Sequence, residues 1–211
     1  MSSPAGLLAL LAGIIVLFAI AIAWGLRSRR EYFGDVARTV NAEMLWTRFG
    51  KREWERDAML FGVPADFAIT DAGWIVRDAH DREVARIHGG VGGRTIEIGA
   101  DRYRVTLLGT WLAGAEMHRV LGDATTSPDA VCRFQLTGPW TARVARYSVG
   151  DDAPIDVPRP IGWPKGRVAI VRDGAEIGAW CVLNVSRPMA RVVLLPDSVP
   201  LAARVFVLAM G

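Results

Sequence analysis

Hydrophobic and polar positions divide the chain into three parts with different patterns. Residues 5–26 contain no charged side chain, residues 31–49 repeat apolar positions at helical spacing, and short apolar runs separated by turn residues follow. These patterns predict a membrane-spanning helix, an amphipathic helix and a β-rich domain. We therefore divide the chain into an anchor (1–26), a basic juxtamembrane segment (27–56) and a β-domain (57–211).

The first segment is long enough to cross a bilayer. As a helix, the 22 residues Ala5–Leu26 would extend about 33 Å, against a hydrocarbon core of about 30 Å. Trp24 lies at the edge of this run, where aromatic rings favour the headgroup region. Basic residues follow the span and none precedes it. The positive-inside rule thus predicts a single-pass inner-membrane protein with its N-terminus outside and its β-domain in the cytoplasm.

A cleaved signal peptide is the alternative for the same segment. The triplets Ala19-Ile20-Ala21 and Ala21-Ile22-Ala23 resemble cleavage sites. Two features favour the anchor instead: no positive charge precedes the apolar run, and the run exceeds the usual signal-peptide core of about 7–15 residues.

The juxtamembrane segment combines a repeated apolar face with most of the unbalanced positive charge. Residues 27–56 hold eight basic and five acidic side chains, which equals the net charge of +3 for the whole chain. The predicted lipid interface consists of Trp24, Arg27, Arg29, Arg30, Arg38, Arg48, Lys51 and Arg52. The predicted partner-binding face consists of Tyr32, Val36, Val40, Met44, Trp46 and Phe49. Three interpretations stay open: an interfacial helix on anionic lipid, a helix docked on another membrane protein, and a helix packed on its own domain.

The β-domain shows many short strands. Asp173-Gly174, between two apolar runs, is a strong signal for a two-residue hairpin turn. Strands at this spacing favour an antiparallel β-barrel or sandwich over βαβ units. The predicted strands are Phe67–Thr70, Trp74–Arg77, Glu83–His88, Arg94–Ile98, Arg102–Leu108, Ala115–Val120, Val131–Leu136, Thr141–Val149, Arg167–Arg172, Glu176–Leu183 and Ala190–Leu194.

The last residues predict a hydrophobic helix. Asp197 or Ser198 can cap it and Pro200 suits its first turn. The run Leu201–Met210 is apolar nearly all round apart from Arg204, and it is too short to span a bilayer. Such a helix must be buried on every face, as the inside of a barrel would allow, and a final buried strand is the alternative.

This combination resembles the tubby-like superfamily, which includes LURP-one-related proteins and phospholipid scramblases. The resemblance rests on Phe67–Trp74, Tyr103–Val105, Ala145–Val149 and Pro200–Met210, and it covers residues 57–211. It implies a closed barrel around a central helix, membrane association and, in some members, phosphoinositide binding or lipid movement. The predicted anchor lies at the opposite end of the chain from that of scramblases.

The sequence contains few residues in patterns typical of a catalytic or metal-binding site. The glycine-rich stretch 87–94 is followed by a predicted strand, which favours a hairpin loop over a phosphate-binding loop. The carboxylates of Asp78 and Asp81, and those of Asp151, Asp152 and Asp156, favour turns over metal ligation. The two cysteines, Cys132 and Cys181, lack zinc or redox spacing and suit a reducing compartment. We predict no cofactor and no metal, and the absence of a catalytic motif leans against an enzyme.

One further partner site is predicted in the proline-rich stretch 155–165. Its prolines and Trp163 suggest an exposed loop that presents an extended segment to a partner.

Together these features predict a non-catalytic accessory or scaffold subunit of a bacterial integral-membrane complex. A tubby-like module that binds anionic lipid headgroups is one alternative, and an enzyme acting on a membrane-derived substrate is another. The balanced charge of the β-domain argues against nucleic-acid binding.

Overall fold

The computed structural model describes residues 13–24, 39–65, 73–89, 93–109, 113–122, 125–139, 142–159, 166–183 and 190–210. Its helices are α1 (residues 13–24), α2 (Ala42–Phe49) and α3 (Leu201–Met210), with a 3₁₀ turn at Arg56–Ala58. Its strands are β1 Met59–Pro64, β2 Trp74–Asp78, β3 Glu83–His88, β4 Arg94–Ile98, β5 Asp101–Leu108, β6 Gly114–Leu121, β7 Thr125–Thr137, β8 Arg143–Val149, β9 Ile155–Arg159, β10 Gly166–Arg172, β11 Ala175–Leu183 and β12 Ala190–Leu194.

The twelve strands form one closed antiparallel barrel. Each strand pairs with its neighbours in sequence, and β1 pairs with β12 to close the ring, with Met59 opposite Leu194 and Gly62 opposite Arg191. Closure removes the exposed edges that an open sheet would leave. The barrel has two ends. Even-numbered strands begin at the first, which we call end A, and odd-numbered strands begin at the second, which we call end B.

The C-terminal helix lies inside this barrel. Val205, Phe206 and Leu208 are fully buried in one cluster with inward-facing residues from all twelve strands. α3 contacts β1 and β12, and also β7 on the opposite side of the ring. The prediction of a buried hydrophobic helix is therefore confirmed, and the alternative of a final strand is wrong.

The two ends of α3 are held by polar contacts. At end A, the guanidinium groups of Arg94 and Arg191 both donate hydrogen bonds to the Ala209 carbonyl. The bond from Arg191 is 3.3 Å long. Cations at a helix C-terminus offset the partial negative charge of its free carbonyls. At end B, Arg204 donates to a carboxylate oxygen of Asp197 at 2.8 Å, so the one charged side chain of α3 has a counter-ion.

Each predicted strand that the structure describes overlaps an observed strand, although β7 is more than twice as long as the predicted Val131–Leu136, and the Asp173-Gly174 turn joins β10 to β11. Both residues have positive φ, 51° and 79°, as the predicted turn requires. The predicted strand Phe67–Thr70 lies outside the described residues. β1 was not predicted: all its residues are buried, so it lacks the alternation that marks a half-exposed strand.

The prediction of an exposed loop at 155–165 is wrong for its first part. Ile155–Arg159 is strand β9, in which the side chains of Ile155 and Val157 are buried. Pro158 is tolerated because β9 pairs along its length with β8 but, among the described residues, pairs with β10 only through Asp156. Trp163, the predicted partner residue of this stretch, lies outside the described residues.

α1 differs from the other helices in its exposure. Every residue of 13–24 is exposed, and its large hydrophobic side chains are between 51% and 74% accessible. These side chains belong to Ile14, Ile15, Val16, Leu17, Phe18, Ile20, Ile22 and Trp24. The rest of the predicted span, residues 5–12 and 25–26, lies outside the described residues.

Over the part of the chain that the structure describes, no helix combines the length and the hydrophobicity needed to cross a membrane.

Replacement of Phe206 by alanine tests the enclosed helix. Phe206 is fully buried and meets the Tyr147 ring edge-on at 6.1 Å. We expect Phe206→Ala to lower the free energy of unfolding by about 3–5 kcal/mol, because it leaves a cavity in the barrel. Phe18→Ala, at a site 70% exposed in α1, is the matched control and should leave barrel stability unchanged. Equal effects of the two variants on denaturant unfolding would contradict the buried position of α3.

Candidate functional site

Residues 39–56 dock on the outside of the barrel through α2. Leu45 and Phe49 of α2 pack on outward-facing residues of three strands, whose other faces line the interior. The strand residues of this outer cluster are Met59, Phe61 and Val63 from β1, Ala179, Cys181 and Leu183 from β11, and Ala190, Val192 and Leu194 from β12. The three strands are therefore buried on both faces, and α2 shares a hydrophobic cluster with the β-domain.

The N-terminus of α2 is fixed to the β2–β3 turn. The Asn41 side chain accepts a hydrogen bond from the Met44 N–H at 2.9 Å, which is an N-cap. A carboxylate oxygen of Asp81 accepts from the Ala42 N–H at 3.0 Å across 39 residues of sequence. Asp81 has a φ of 62°, a left-handed conformation that aspartate tolerates better than most residues. This contact determines where the chain joins end B.

Asp78 organises the turn that carries Asp81. Its carboxylate accepts from the backbone N–H groups of His80 and Arg82, at 2.9 Å and 3.0 Å, and from the Arg82 Nε at 2.8 Å. Burial alone would raise the pKa of Asp78, but these hydrogen bonds and the Arg82 charge outweigh it and hold the pKa below its usual value. Asp78 and Asp81 thus have the turn role that the sequence favoured.

Ion pairs and ring contacts also stabilise this segment, both within itself and against the barrel. Arg56 lies 2.7 Å from Glu43, and the Lys51 ammonium lies 3.0 Å from Glu176 of β11. The charged groups of Lys51 and Arg167 lie 4.9 Å and 5.0 Å from the centroid of the Trp54 ring. Exposed pairs of this kind contribute little each, so the outer apolar cluster dominates the docking.

The predicted partner face is divided by this packing. Val40 and Phe49 are buried against the chain's own barrel, 1% and 7% exposed, whereas Met44 is 39% exposed. Trp46 is half-buried and packs on the outer cluster. This is the arrangement expected for a helix packed on its own domain, and the outward surface of α2 stays available. Tyr32 and Val36 lie outside the described residues.

The predicted lipid-interface residues are also divided. Trp24 is 74% exposed on α1. Arg48 and Arg52 are exposed, and Lys51 is half-buried in its pair with Glu176. Arg27, Arg29, Arg30 and Arg38 lie outside the described residues. Lipid and partner binding by these residues therefore stay predictions.

Other sequence candidates have structural roles where the structure describes them. Asp156 forms a two-bonded pair with Arg146, each bond 2.9 Å long. Cys132 faces the barrel interior and Cys181 faces the outer cluster, both as free thiols, and burial raises the pKa of each to about 12. No group of three or more His, Cys, Asp or Glu side chains within the described residues has an arrangement suited to a metal.

Comparison with protein-family models, with curated proteins and with solved structures found no match. The closed antiparallel barrel with its C-terminal helix is consistent with the tubby-like fold on geometry alone.

Asp78→Asn tests the turn that holds α2. Asn keeps the shape but loses the charge that Arg82 pairs with, so we expect a loss of about 1.5–3 kcal/mol near pH 7. The pKa of Asp78 is lower in the folded protein than in the unfolded chain, where it is near 3.8. Its carboxylate therefore stabilises the fold fully above that unfolded value, and this contribution is lost as the pH falls through the folded pKa. The stability difference between wild type and variant should therefore shrink below about pH 4.

Denaturant unfolding over a pH series provides the measurement. Asp173→Asn is the control, because asparagine accepts the left-handed backbone of that turn, and it should change stability little at any pH. A constant difference between wild type and Asp78→Asn across the pH series would contradict this role for Asp78.

Proposed function

We propose that this protein is a membrane-anchored accessory or scaffold subunit of a bacterial integral-membrane complex. The observation that carries the proposal is the exposure of α1. Its eight large apolar side chains are uncovered, while the apolar residues of α2 other than Met44, and those of α3, are packed in the two clusters of the β-domain. An apolar surface of this size on one helix requires lipid or another apolar helix as its cover.

The filled barrel supports a role through surfaces. Small barrels that bind ligands hold them in the interior, and here α3 fills that space with side chains. The surfaces that we assign to a partner are α1, the outward face of α2 with Met44 and Arg48, and the adjoining Arg52. In this proposal the β-domain lies in the cytoplasm, the inner membrane holds the anchor, and the fold belongs to the tubby-like superfamily.

The first test is anchoring. We expect the full chain, expressed in a bacterium, to stay with the membrane after an alkaline carbonate wash. A double charge substitution in α1, Leu17→Asp with Phe18→Asp, should release it, since each charge at the centre of a span costs about 2.5–3.5 kcal/mol. Leu108→Asp with Leu121→Asp, at exposed sites on the barrel, is the matched control and should leave the protein in the membrane fraction.

The second part of the test identifies the partner by purification in mild detergent. A fixed stoichiometric set of integral-membrane proteins should accompany the wild-type chain and be reduced by Arg48→Glu with Arg52→Glu. The control pair Arg104→Glu with Arg133→Glu reverses the same number of charges on the far outer face and should retain the set. A chain that purifies alone, or with a set that neither pair alters, would contradict the subunit role.

A further inference from the structure

A small groove opens at end B beside the segment that joins α2 to β1. Two stretches of chain line it: Glu53, Trp54 and Glu55 come from that segment, and Ile177 and Pro196 come from β11 and the residues after β12. Its volume is about 230 Å³. Pockets for small molecules usually measure about 300–1,000 Å³, so the groove suits an anchoring side chain of a protein partner.

The groove opens where the pairing of β11 with β12 ends. Among the described residues, Ala179 is the first residue of β11 that pairs with β12, so Ile177 lies outside the paired region. The Leu195 N–H donates instead to the Ala58 carbonyl, on the β1 side, at 3.4 Å. Pro196 has no N–H with which to continue the pairing. The gap therefore follows from the sequence at the end of β12.

Most of the groove lining is apolar. Ala58, Leu194 and Leu195 contribute to it and are buried, and Ile177 and the Trp54 ring are half-buried. A partner side chain that enters the groove would remove this apolar surface from water, which favours binding. The groove therefore selects an aliphatic or aromatic side chain.

Two carboxylates at the groove have no counter-ion. Glu53 and Glu55 are exposed, and neither side chain has an ion pair or hydrogen bond within the part of the chain that the structure describes. The basic residues Lys51 and Arg56 on either side are paired with other carboxylates. Arg52 is exposed and does not line the groove. An apolar groove with negative charge beside it is complementary to a segment that is both apolar and basic.

We propose that the groove receives a cytoplasmic loop of the integral-membrane partner, with an apolar side chain in the space next to Ile177 and a neighbouring lysine or arginine paired with Glu53 or Glu55. This inference rests on the subunit role proposed above and names the chemistry of the partner. Cytoplasmic loops of membrane proteins have an excess of lysine and arginine close to their apolar spans. Such loops place basic and apolar residues side by side, whereas anionic lipid headgroups would be repelled by the two carboxylates.

The groove is within reach of such a loop. Residues 25–38 connect α1 to Thr39, and Ala42 contacts Asp81 at end B. These fourteen residues extend at most about 46–50 Å, so an anchored α1 keeps Thr39 within that distance of the membrane. Attachment to the same membrane raises the effective concentration of the groove around the loops of a neighbouring protein.

Photocrosslinking in the membranes of the native host tests the proposal. In the full chain, Glu55 is replaced by p-benzoylphenylalanine, which is tolerable because the Glu55 side chain makes no capping hydrogen bond. The same replacement of Asp152, an exposed residue of the β8–β9 turn on the other side of end B, is the control. We expect the probe at position 55 to form an adduct with a lysine- or arginine-bearing loop next to a membrane span, and the control to miss that loop.

Charge reversal and rescue provide the second readout. Glu53→Lys with Glu55→Lys should lower the affinity for the crosslinked protein on the order of tenfold, because like charges then face each other. Asp129→Lys with Asp152→Lys reverses the same number of exposed charges on the other side of the barrel and should retain the partner. Reversal of the mapped lysine or arginine in the partner to glutamate should restore binding to the first variant. Both variants should unfold at the wild-type denaturant concentration.

Several outcomes would overturn the groove assignment. These are no protein adduct at position 55, an adduct with an acidic segment or a second copy of this chain, or full retention of the partner by Glu53→Lys with Glu55→Lys. If the wild-type chain still purifies with its set of membrane proteins, these outcomes refute only the groove. A wild-type chain that purifies alone refutes the subunit role and the groove together.

Discussion

The burial of α3 is the constraint on which the rest of the structure depends. A helix with apolar residues on every side has no face to offer water, so a closed surface must surround it. Twelve antiparallel strands provide that surface, and each contributes an inward side chain to the cluster that encloses the helix. Gly62 of β1 illustrates the closeness of this fit, because a Cβ there would lie 2.9 Å from a Leu208 methyl group.

Because α3 fills the interior of the barrel, a partner would have to bind to its outer surface. One sector of the outer surface, on β1, β11 and β12, is apolar and is covered by α2, while cross-strand charge pairs such as Glu116 with Arg133 lie on the far side. The Asp78 turn fixes where residues 39–42 join end B. The exposed helix α1 and the outward face of α2 are thus the parts of the molecule from which we argue a function.

Local chemistry explains which elements could be predicted from sequence. Ala190–Leu194 and Glu83–His88 agree residue for residue, because short β-favouring runs between turn residues define them, and Asp173-Gly174 defines a hairpin by backbone geometry alone. β1 was missed because burial on both faces removes the alternation that reveals a strand. β9 was missed because Pro158 is a residue typical of loops. The proline fits in this strand because, among the described residues, β9 pairs with β10 only through Asp156.

The candidate site was less predictable because tertiary contacts create it. Nothing local indicates that Asp81 caps a helix 39 residues away, or that Val40 and Phe49 turn toward the barrel while Met44 turns outward. The exposed apolar α1, by contrast, follows directly from an uncharged run of residues.

Amide hydrogen exchange of the full-length protein tests the central claim most directly. If α3 lies inside a closed barrel, the amides of residues 205–209 can exchange only when the barrel opens, and they should be among the slowest in the chain. Their opening free energies should approach the global free energy of unfolding. Exchange of α3 at the rate of an exposed helix, while the strands stay protected, would show that the barrel is stable without it and would contradict the account.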